Sequence, residues 1–160
     1  MTWRLVAIFV FSAIPFFCWS QSRQNSGGNK KPDLEFKRIS TTEGLSHSDV
    51  SCIIQDHQGF MWFGTADGLN KFDGYNIKIY RHISGDSSSL LNSDIRSVFE
   101  DSNNNLWVGT STGLNRYNRS TDTFIHHKEI INSSINNIFE DRKKNLWLTT
   151  GPHIYLFNAE

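Results

Sequence analysis

The chain has few cysteines, no net charge and only one long hydrophobic run. Two of its 160 residues are cysteines, and 16 Lys and Arg balance 16 Asp and Glu. This balance argues against a nucleic-acid or anionic-membrane surface as partner. A glycine-rich phosphate loop, a nucleophile elbow, a catalytic triad and histidines at metal-ligand spacing are also lacking. We therefore predict no catalytic residue, no cofactor-binding residue, no cofactor and no metal site, and the ligand-binding residues stay unassigned.

The single hydrophobic run stands near the N-terminus, over Leu5–Trp19. A membrane span needs about 20 apolar residues, so this shorter run suits the core of a signal peptide. Cys18 and Ser20 are small residues placed as a signal peptidase requires. We predict a signal peptide over residues 1–20, cleaved before Gln21, and hence a periplasmic or exported protein. An uncleaved anchor is the alternative interpretation.

The segment after the hydrophobic run is polar. Residues 21–33 are rich in Ser, Asn, Gly and Lys and show no apolar pattern, which predicts a flexible linker. Beyond it Cys52 is the sole cysteine, so an intrachain disulfide is not expected after cleavage. In the threefold sequence repeat described next, Cys52 stands at the position of Ser97 and Asn137, which favours a small residue in a crowded strand over a reactive thiol.

One motif occurs three times over the remaining residues, 34–160. An apolar run is followed by Asp, five residues, Trp and a turn of the type Gly-Thr-x-x-Gly-Leu-Asn, and the copies are centred on Trp62, Trp107 and Trp147. The tryptophans are 45 and 40 residues apart. A period of about 40–45 residues with Trp and Gly at fixed offsets is typical of β-propeller blades.

Each copy predicts a blade of antiparallel strands, because apolar residues alternate with others. The expected strands cover residues 50–55, 61–65, 69–72 and 77–82 in the first copy, 95–100, 106–110, 114–117 and 123–128 in the second, and 135–140, 146–150 and 154–157 in the third. In the third copy His153 replaces the turn glycine, and no fourth strand is expected. The predicted fold class is all-β, with four-stranded propeller blades, about two and a half of them, forming an incomplete ring.

The recurring Trp and Asp residues are the most conspicuous candidates for binding. Indole rings stack on sugars, but one ring at the same position of every unit favours packing between neighbouring blades. Each Asp lies six residues before its Trp and precedes a turn, where Asp caps the backbone well. Because Asp56, Asp101 and Asp141 belong to different blades, they are not expected to share a metal ion. The histidines His47, His57, His126 and His127 fall at unrelated repeat positions.

The residue pattern is similar to that of a known family. The stretches 44–70 and 91–117 resemble two-component regulator propeller repeats, and residues 36–45 resemble the usual start of such a sensor. The resemblance implies the N-terminal periplasmic sensor region of a Bacteroidetes-type hybrid two-component system histidine kinase. It also implies an oligosaccharide ligand in the full-length family. The sequence departs from that family in matching no kinase residue, so we expect a sensor fragment that is not an enzyme and carries no output domain.

Two other functions compete with this sensor fragment. A standalone exported binding module would close a propeller by self-association of several chains through open blade edges. The same edges lead us to expect that the isolated chain folds poorly. A sialidase-like glycan hydrolase fragment is the third hypothesis, since Asp-x2-Gly-x2-Trp is close to the Asp-box of such propellers. It needs an arginine cluster, whereas the arginines here are few and scattered, at Arg38, Arg81, Arg96, Arg116, Arg119 and Arg142.

Overall fold

A computed structural model describes residues 35–130 and 132–157 of the chain. The predicted signal peptide and linker, residues 1–20 and 21–33, lie outside the described residues. Within the described ranges no helix is both long and apolar enough to cross a membrane.

The described residues form three antiparallel sheets, which we call blades 1, 2 and 3. Blade 1 has the order β1-β2-β3-β4, with β1 Val50–Gln55, β2 Met61–Thr65, β3 Gly68–Phe72 and β4 Ile77–Tyr80. Blade 2 has the order β5-β6-β7-β8, with β5 Ile95–Glu100, β6 Leu106–Thr110, β7 Gly113–Asn118 and β8 Thr123–His127. Blade 3 has the order β9-β10-β11, with β9 Asn137–Glu140, β10 Leu146–Thr149 and β11 Ile154–Phe157. Two short 3-10 helices cover Thr41–Glu43 and Lys128–Ile130.

The predicted all-β fold with four-stranded blades is confirmed, and strand bounds differ from prediction by at most two residues. The fourth strand of blade 1 ends at Tyr80 rather than at residue 82. Strand β9 begins at Asn137 rather than at residue 135. Its start is displaced because the backbone N–H of Ile135 donates to the carbonyl of Thr110 in blade 2, at 3.0 Å. Ile135 therefore belongs to the connection between two blades.

Strand register is the same in all three blades. The residues paired across the second and third strands are Trp62 with Lys71, Trp107 with Arg116, and Trp147 with Leu156. In blades 1 and 2 a two-residue hairpin loop precedes Gly68 or Gly113, whose φ angles are 137° and 152°. Glycine takes this conformation without the strain that a Cβ adds.

The hydrophobic core lies between the blades rather than within one of them. We call the contact of blades 1 and 2 junction 1, and the contact of blades 2 and 3 junction 2. The core of junction 1 includes the fully buried Trp62, Leu69, Ile95 and Leu106. The core of junction 2 includes Trp107, Leu114, Ile135, Leu146 and Leu148, all at most 1% exposed. A blade therefore buries its apolar face only against its neighbour, as expected of a repeat protein.

Candidate functional site

The repeated Asp and Trp are joined by a hydrogen bond in every blade. In blade 1, Oδ1 of Asp56 accepts from the backbone N–H groups of Gln58 and Phe60, at 3.0 and 2.9 Å. Its Oδ2 accepts from Nε1 of Trp62 at 2.8 Å. The predicted capping role of Asp is thus confirmed. The bond to the indole was missed, although the constant spacing of six residues carried that signal.

The same bonds recur in the other two blades. Nε1 of Trp107 donates to Asp101 at 2.8 Å, and Nε1 of Trp147 donates to Asp141 at 3.0 Å. Burial raises the pKa of the Asp56 carboxyl, but hydrogen bonds from Trp62 and Arg119 outweigh it and lower that pKa below the ordinary value. This carboxylate is therefore ionised near neutral pH and holds both the turn and the ring.

The tryptophans pack between blades, as predicted. Trp62 is fully buried, and Tyr117 of blade 2 meets it edge to face with ring centroids 5.0 Å apart. Trp107 is 1% exposed and meets Phe157 of blade 3 in the same way at 5.6 Å. Trp147 is 38% exposed. The first two rings thus serve as packing groups and offer no open face for a ligand.

Glycine after each buried Trp allows the next blade to approach closely. A Cβ on Gly64 would lie 2.7 Å from Cγ2 of Ile95, and one on Gly109 would lie 2.7 Å from the carbonyl oxygen of Ile135. Both distances are shorter than van der Waals contact. Thr149 stands at this position in blade 3.

In blades 1 and 2 the Asn of the Gly-Leu-Asn turn binds the loop that precedes its blade. Oδ1 of Asn70 accepts from the backbone N–H of Ser46 at 2.8 Å, and its Nδ2 donates to Oγ of Ser46 at 2.8 Å. Oδ1 of Asn115 accepts from the backbone N–H of Leu91 at 3.0 Å. Both Asn side chains are fully buried. These two Asn side chains are therefore framework residues that satisfy backbone groups.

A polar cluster closes the outer end of junction 1. Oδ1 of Asp122 accepts from the hydroxyl of Tyr80 at 2.6 Å and from that of Tyr117 at 2.5 Å. Lys78 of blade 1 forms an ion pair with the same carboxylate. Burial raises the pKa of Asp122, but these hydrogen bonds outweigh it and lower the pKa to about 2. Burial together with the Asp122 carboxylate raises the pKa of Tyr117 to about 12. Asp122 thus joins two blades as an anion.

A second set of ion pairs crosses junction 1 near the Asp56 turn. Arg119 of blade 2 donates to Asp56 at 2.8 Å and to Glu100 at 2.6 Å. Glu100 also accepts from the backbone N–H of His57 at 2.7 Å, and its other oxygen lies 2.7 Å from Nδ1 of His57. These partly buried contacts fix the turn of blade 1 against blade 2. Sequence reasoning missed Arg119 and Asp122, because both follow β7 at positions that the motif does not include.

Junction 2 has fewer polar links. His127 takes the place that Tyr80 has in junction 1, and its ring lies 5.0 Å from Trp107 and 5.1 Å from Phe157. Nε2 of His127 is buried without a hydrogen-bond partner among the described residues. Burial, assisted by the positive charge of Arg116, lowers the pKa of His127 below 6.5. The imidazole is therefore neutral near pH 7.

The remaining candidate residues from the sequence, a cysteine and two histidines, lie apart from one another and contact the backbone or neighbouring strands. Cys52 is half-buried, with Sγ 2.5 Å from a Cβ built on Gly64, and burial raises the pKa of its thiol. The predicted crowding around Cys52 is confirmed. His47 accepts from the backbone N–H of Asp49, whereas Nε2 of His126 contacts the carbonyl of Ser89. Within residues 35–130 and 132–157, no group of three or more His, Cys, Asp or Glu is placed to hold a metal.

A cavity lies at the outer rim of junction 1. Its volume is about 350 Å³, and it is lined by residues of both blades: Phe60, Lys71, Lys78, Tyr80, Tyr117 and Arg119, among others. Ligand pockets are commonly about 300–1,000 Å³. Three cationic side chains, Lys71, Lys78 and Arg119, face this space together with aromatic rings and the carboxylates of Asp73 and Asp122. The cavity is therefore suited to recognise a small polar molecule. It is our candidate functional site.

The stacked blades and their Asp-Trp bonds place the chain in the β-propeller class. Comparison with known proteins gives the family: the pattern described as "Two component regulator propeller" matches residues 44–67, 89–112 and 129–151. The chain therefore carries three two-component regulator propeller repeats over these residues.

Individual similar proteins agree with this assignment. Histidine kinase P4 of Formosa agariphila is 41% identical over 87 residues, covering 54% of this chain and 6% of that protein. The extracellular domain of a hybrid two-component system from B. thetaiotaomicron is 31% identical, with a TM-score of 0.69, over 77% of this chain and 19% of that domain. The chain thus spans a small part of both relatives.

The same fold also occurs in an enzyme. Virginiamycin B lyase from Staphylococcus aureus aligns with 81% of this chain and 44% of its own, with a TM-score of 0.61. At 16% identity, this likeness shows a shared propeller fold and nothing about activity.

Proposed function

We propose that this chain forms part of the ligand-sensing propeller of a two-component system, on the exported side of the membrane. The observation that carries the proposal is the blade-to-blade stacking, which superimposes 77% of the chain on the extracellular domain of a hybrid two-component system. The apolar run over Leu5–Trp19 supports export. Oligosaccharides are the proposed ligand class, since the family resemblance implies them.

Within this function the chain recognises and does not catalyse. Its repeated Trp, Asp, Gly and Asn side chains are engaged in packing and in backbone hydrogen bonds. Three of the scattered arginines form ion pairs with carboxylates: Arg81 with Asp67, Arg96 with Asp94, and Arg119 with Asp56 and Glu100.

Two measurements test the sensor function. Fusion of residues 1–33 to a reporter that is active only outside the cytoplasm should yield reporter activity, and loss of the apolar run should abolish it. Purified chain should gain thermal stability with at least one member of a panel of neutral and acidic oligosaccharides, because a ligand that binds only the native state stabilises it. A chain that is retained in the cytoplasm and insensitive to the whole panel would contradict the proposal.

A second candidate function is a standalone binding module that assembles from several chains. It is favoured by apolar side chains on the outer face of blade 3, where Phe139, Ile154 and Leu156 are 61%, 69% and 58% exposed. Ile53 on blade 1 is 58% exposed as well. Large exposed apolar patches mark interaction sites. A single defined oligomer in light scattering would support this candidate, whereas a monodisperse monomer would exclude it.

A further inference from the structure

The cavity at the outer rim of junction 1 contains a cation, Lys71, that forms no ion pair with a carboxylate of the described residues. Nζ of Lys71 lies 4.0 Å from the centroid of the Phe60 ring, 5.3 Å from that of Trp62 and 5.6 Å from that of Tyr117. Among the described residues, Lys71 takes part in no ion pair within 4.0 Å. Lys71 is half-buried, and three aromatic rings lie within 6 Å of its ammonium group, the range of cation–π attraction.

The other charges around the cavity already have partners. Lys78 is paired with Asp122, and Arg119 is paired with Asp56 and Glu100. The carboxylate of Asp73 accepts from the backbone N–H groups of the turn that follows it, at 2.8 and 2.6 Å. Lys71 is thus the cation of this cavity that is left to meet an incoming anion.

A purely structural role for Lys71 is the competing explanation. Arg116 is its equivalent in blade 2 and lies over Trp107 at 6.0 Å, so a cation at this position covers the tryptophan in both blades. The two surroundings differ, however. Phe60 in blade 1 is replaced by Asn105 in blade 2, whose amide is bonded to Asp101. Junction 1 therefore offers an aromatic wall beside its cation, which tryptophan coverage alone does not require.

We propose that this cavity binds the carboxylate of a small ring-bearing acid. The carboxylate pairs with Nζ of Lys71, and the ring of the ligand packs against Phe60 and the neighbouring tyrosines. The volume of about 350 Å³ accommodates one six-membered ring with its substituents. A sugar acid and an aromatic acid share this chemistry. The biological meaning of the site rests on the proposed sensing function, but the binding itself depends only on the cavity.

Matched pairs of acidic and neutral compounds test the proposal on the full chain. Glucuronate is compared with glucose, and benzoate with benzamide, by NMR titration and by quenching of tryptophan fluorescence. We expect the acid of at least one pair to bind at least tenfold more tightly than its neutral partner. The pair that shows the effect identifies whether the ligand is a sugar acid or an aromatic acid.

Substitutions locate the site. Lys71→Met keeps the apolar stem and removes the ammonium group, and it should weaken acid binding at least tenfold. Lys71→Arg should restore most of the affinity, since it restores the charge. Lys143→Met removes the same charge from an exposed turn of blade 3 and should leave binding unchanged. Thermal unfolding of each variant establishes that it is folded.

Several results would overturn the proposal: no binding of either acid, equal binding of acid and neutral partner, or full affinity in folded Lys71→Met. These results can be distinguished from a failure of the proposed sensor function. A neutral oligosaccharide that stabilises both the original chain and Lys71→Met would refute this site and leave the sensing role standing.

Discussion

The two blade junctions share an apolar frame but differ in the polar groups that close it. Each places a buried Trp against an aromatic ring of the next blade and a glycine against an isoleucine. Junction 1 adds Asp122 and Arg119, which connect the blades through ion pairs and tyrosine hydroxyls. Junction 2 has Glu140, which accepts from the backbone and hydroxyl of Ser102, and a neutral His127. The repeat motif thus encodes stacking, whereas residues outside it distinguish one junction from another.

Removing a buried tryptophan should have the largest effect. Trp62→Ala and Trp107→Ala should each lower the free energy of unfolding by about 3–5 kcal/mol, because they leave large cavities at the junctions. Trp147→Ala should cost about 1 kcal/mol, since this ring is 38% exposed. Urea unfolding at low temperature with a stabilising salt measures all three. Equal losses at Trp62 and Trp147 would contradict the packing role.

Adding a side chain at Gly109, where blades 2 and 3 approach each other closely, should have the second-largest effect on stability. Gly109→Ala should cost about 1–3 kcal/mol, because the added Cβ meets Ile135 and Ser97 within 2.8 Å. Gly151→Ala is the matched control, since a Cβ there has no neighbour within 4 Å. Its effect should be close to zero. The comparison is made by urea unfolding, and a Gly109→Ala variant as stable as the original would show that the blades separate easily.

Substitution of Asp122 tests how much the polar cluster of junction 1 contributes to stability. Asp122→Asn should cost about 1–2 kcal/mol, because it weakens hydrogen bonds from Tyr80 and Tyr117 and removes an ion pair; the partial exposure of the carboxylate keeps the loss at this level. Asp67→Asn removes an exposed pair with Arg81 and should cost less than about 1 kcal/mol. The urea midpoints of the two variants show which substitution lowers stability more. A larger loss for Asp67→Asn would refute the assigned role of Asp122.

Acid should weaken junction 2 through His127. Its folded-state pKa is below the ordinary 6.5, so folding favours the neutral ring. The contribution of the neutral ring is complete above pH 6.5 and is lost as the pH falls from 6.5 toward the lower folded-state pKa. His127→Phe should therefore reduce the loss of stability between pH 8 and pH 5, measured by urea midpoints. His153→Phe, at an exposed position, should retain the original pH dependence. An unchanged pH dependence in His127→Phe would show that folding does not favour the neutral ring.

Much of the frame was predictable because each motif residue acts locally. The bond from Asp56 to the indole of Trp62 spans six residues, and the hairpin before Gly68 spans two, so both leave a fixed spacing in the sequence. The site was not predictable in this way. Lys71 of blade 1 lies beside Tyr117 of blade 2. The two residues are far apart in sequence, and the spacing of the repeat does not predict their contact.

The sequence alone determined the blade: its strands, its register, its turn glycines and the tryptophan that faces the next blade. It could do so because alternation, turn conformation and short-range hydrogen bonds depend on neighbouring residues. The tertiary structure alone decided that Arg119 contacts Asp56, that Asp122 joins two tyrosines, and that Lys71 lies in a cavity with no ion-pair partner among the described residues. These features depend on how two similar blades are stacked, and stacking brings together side chains that lie more than 40 residues apart.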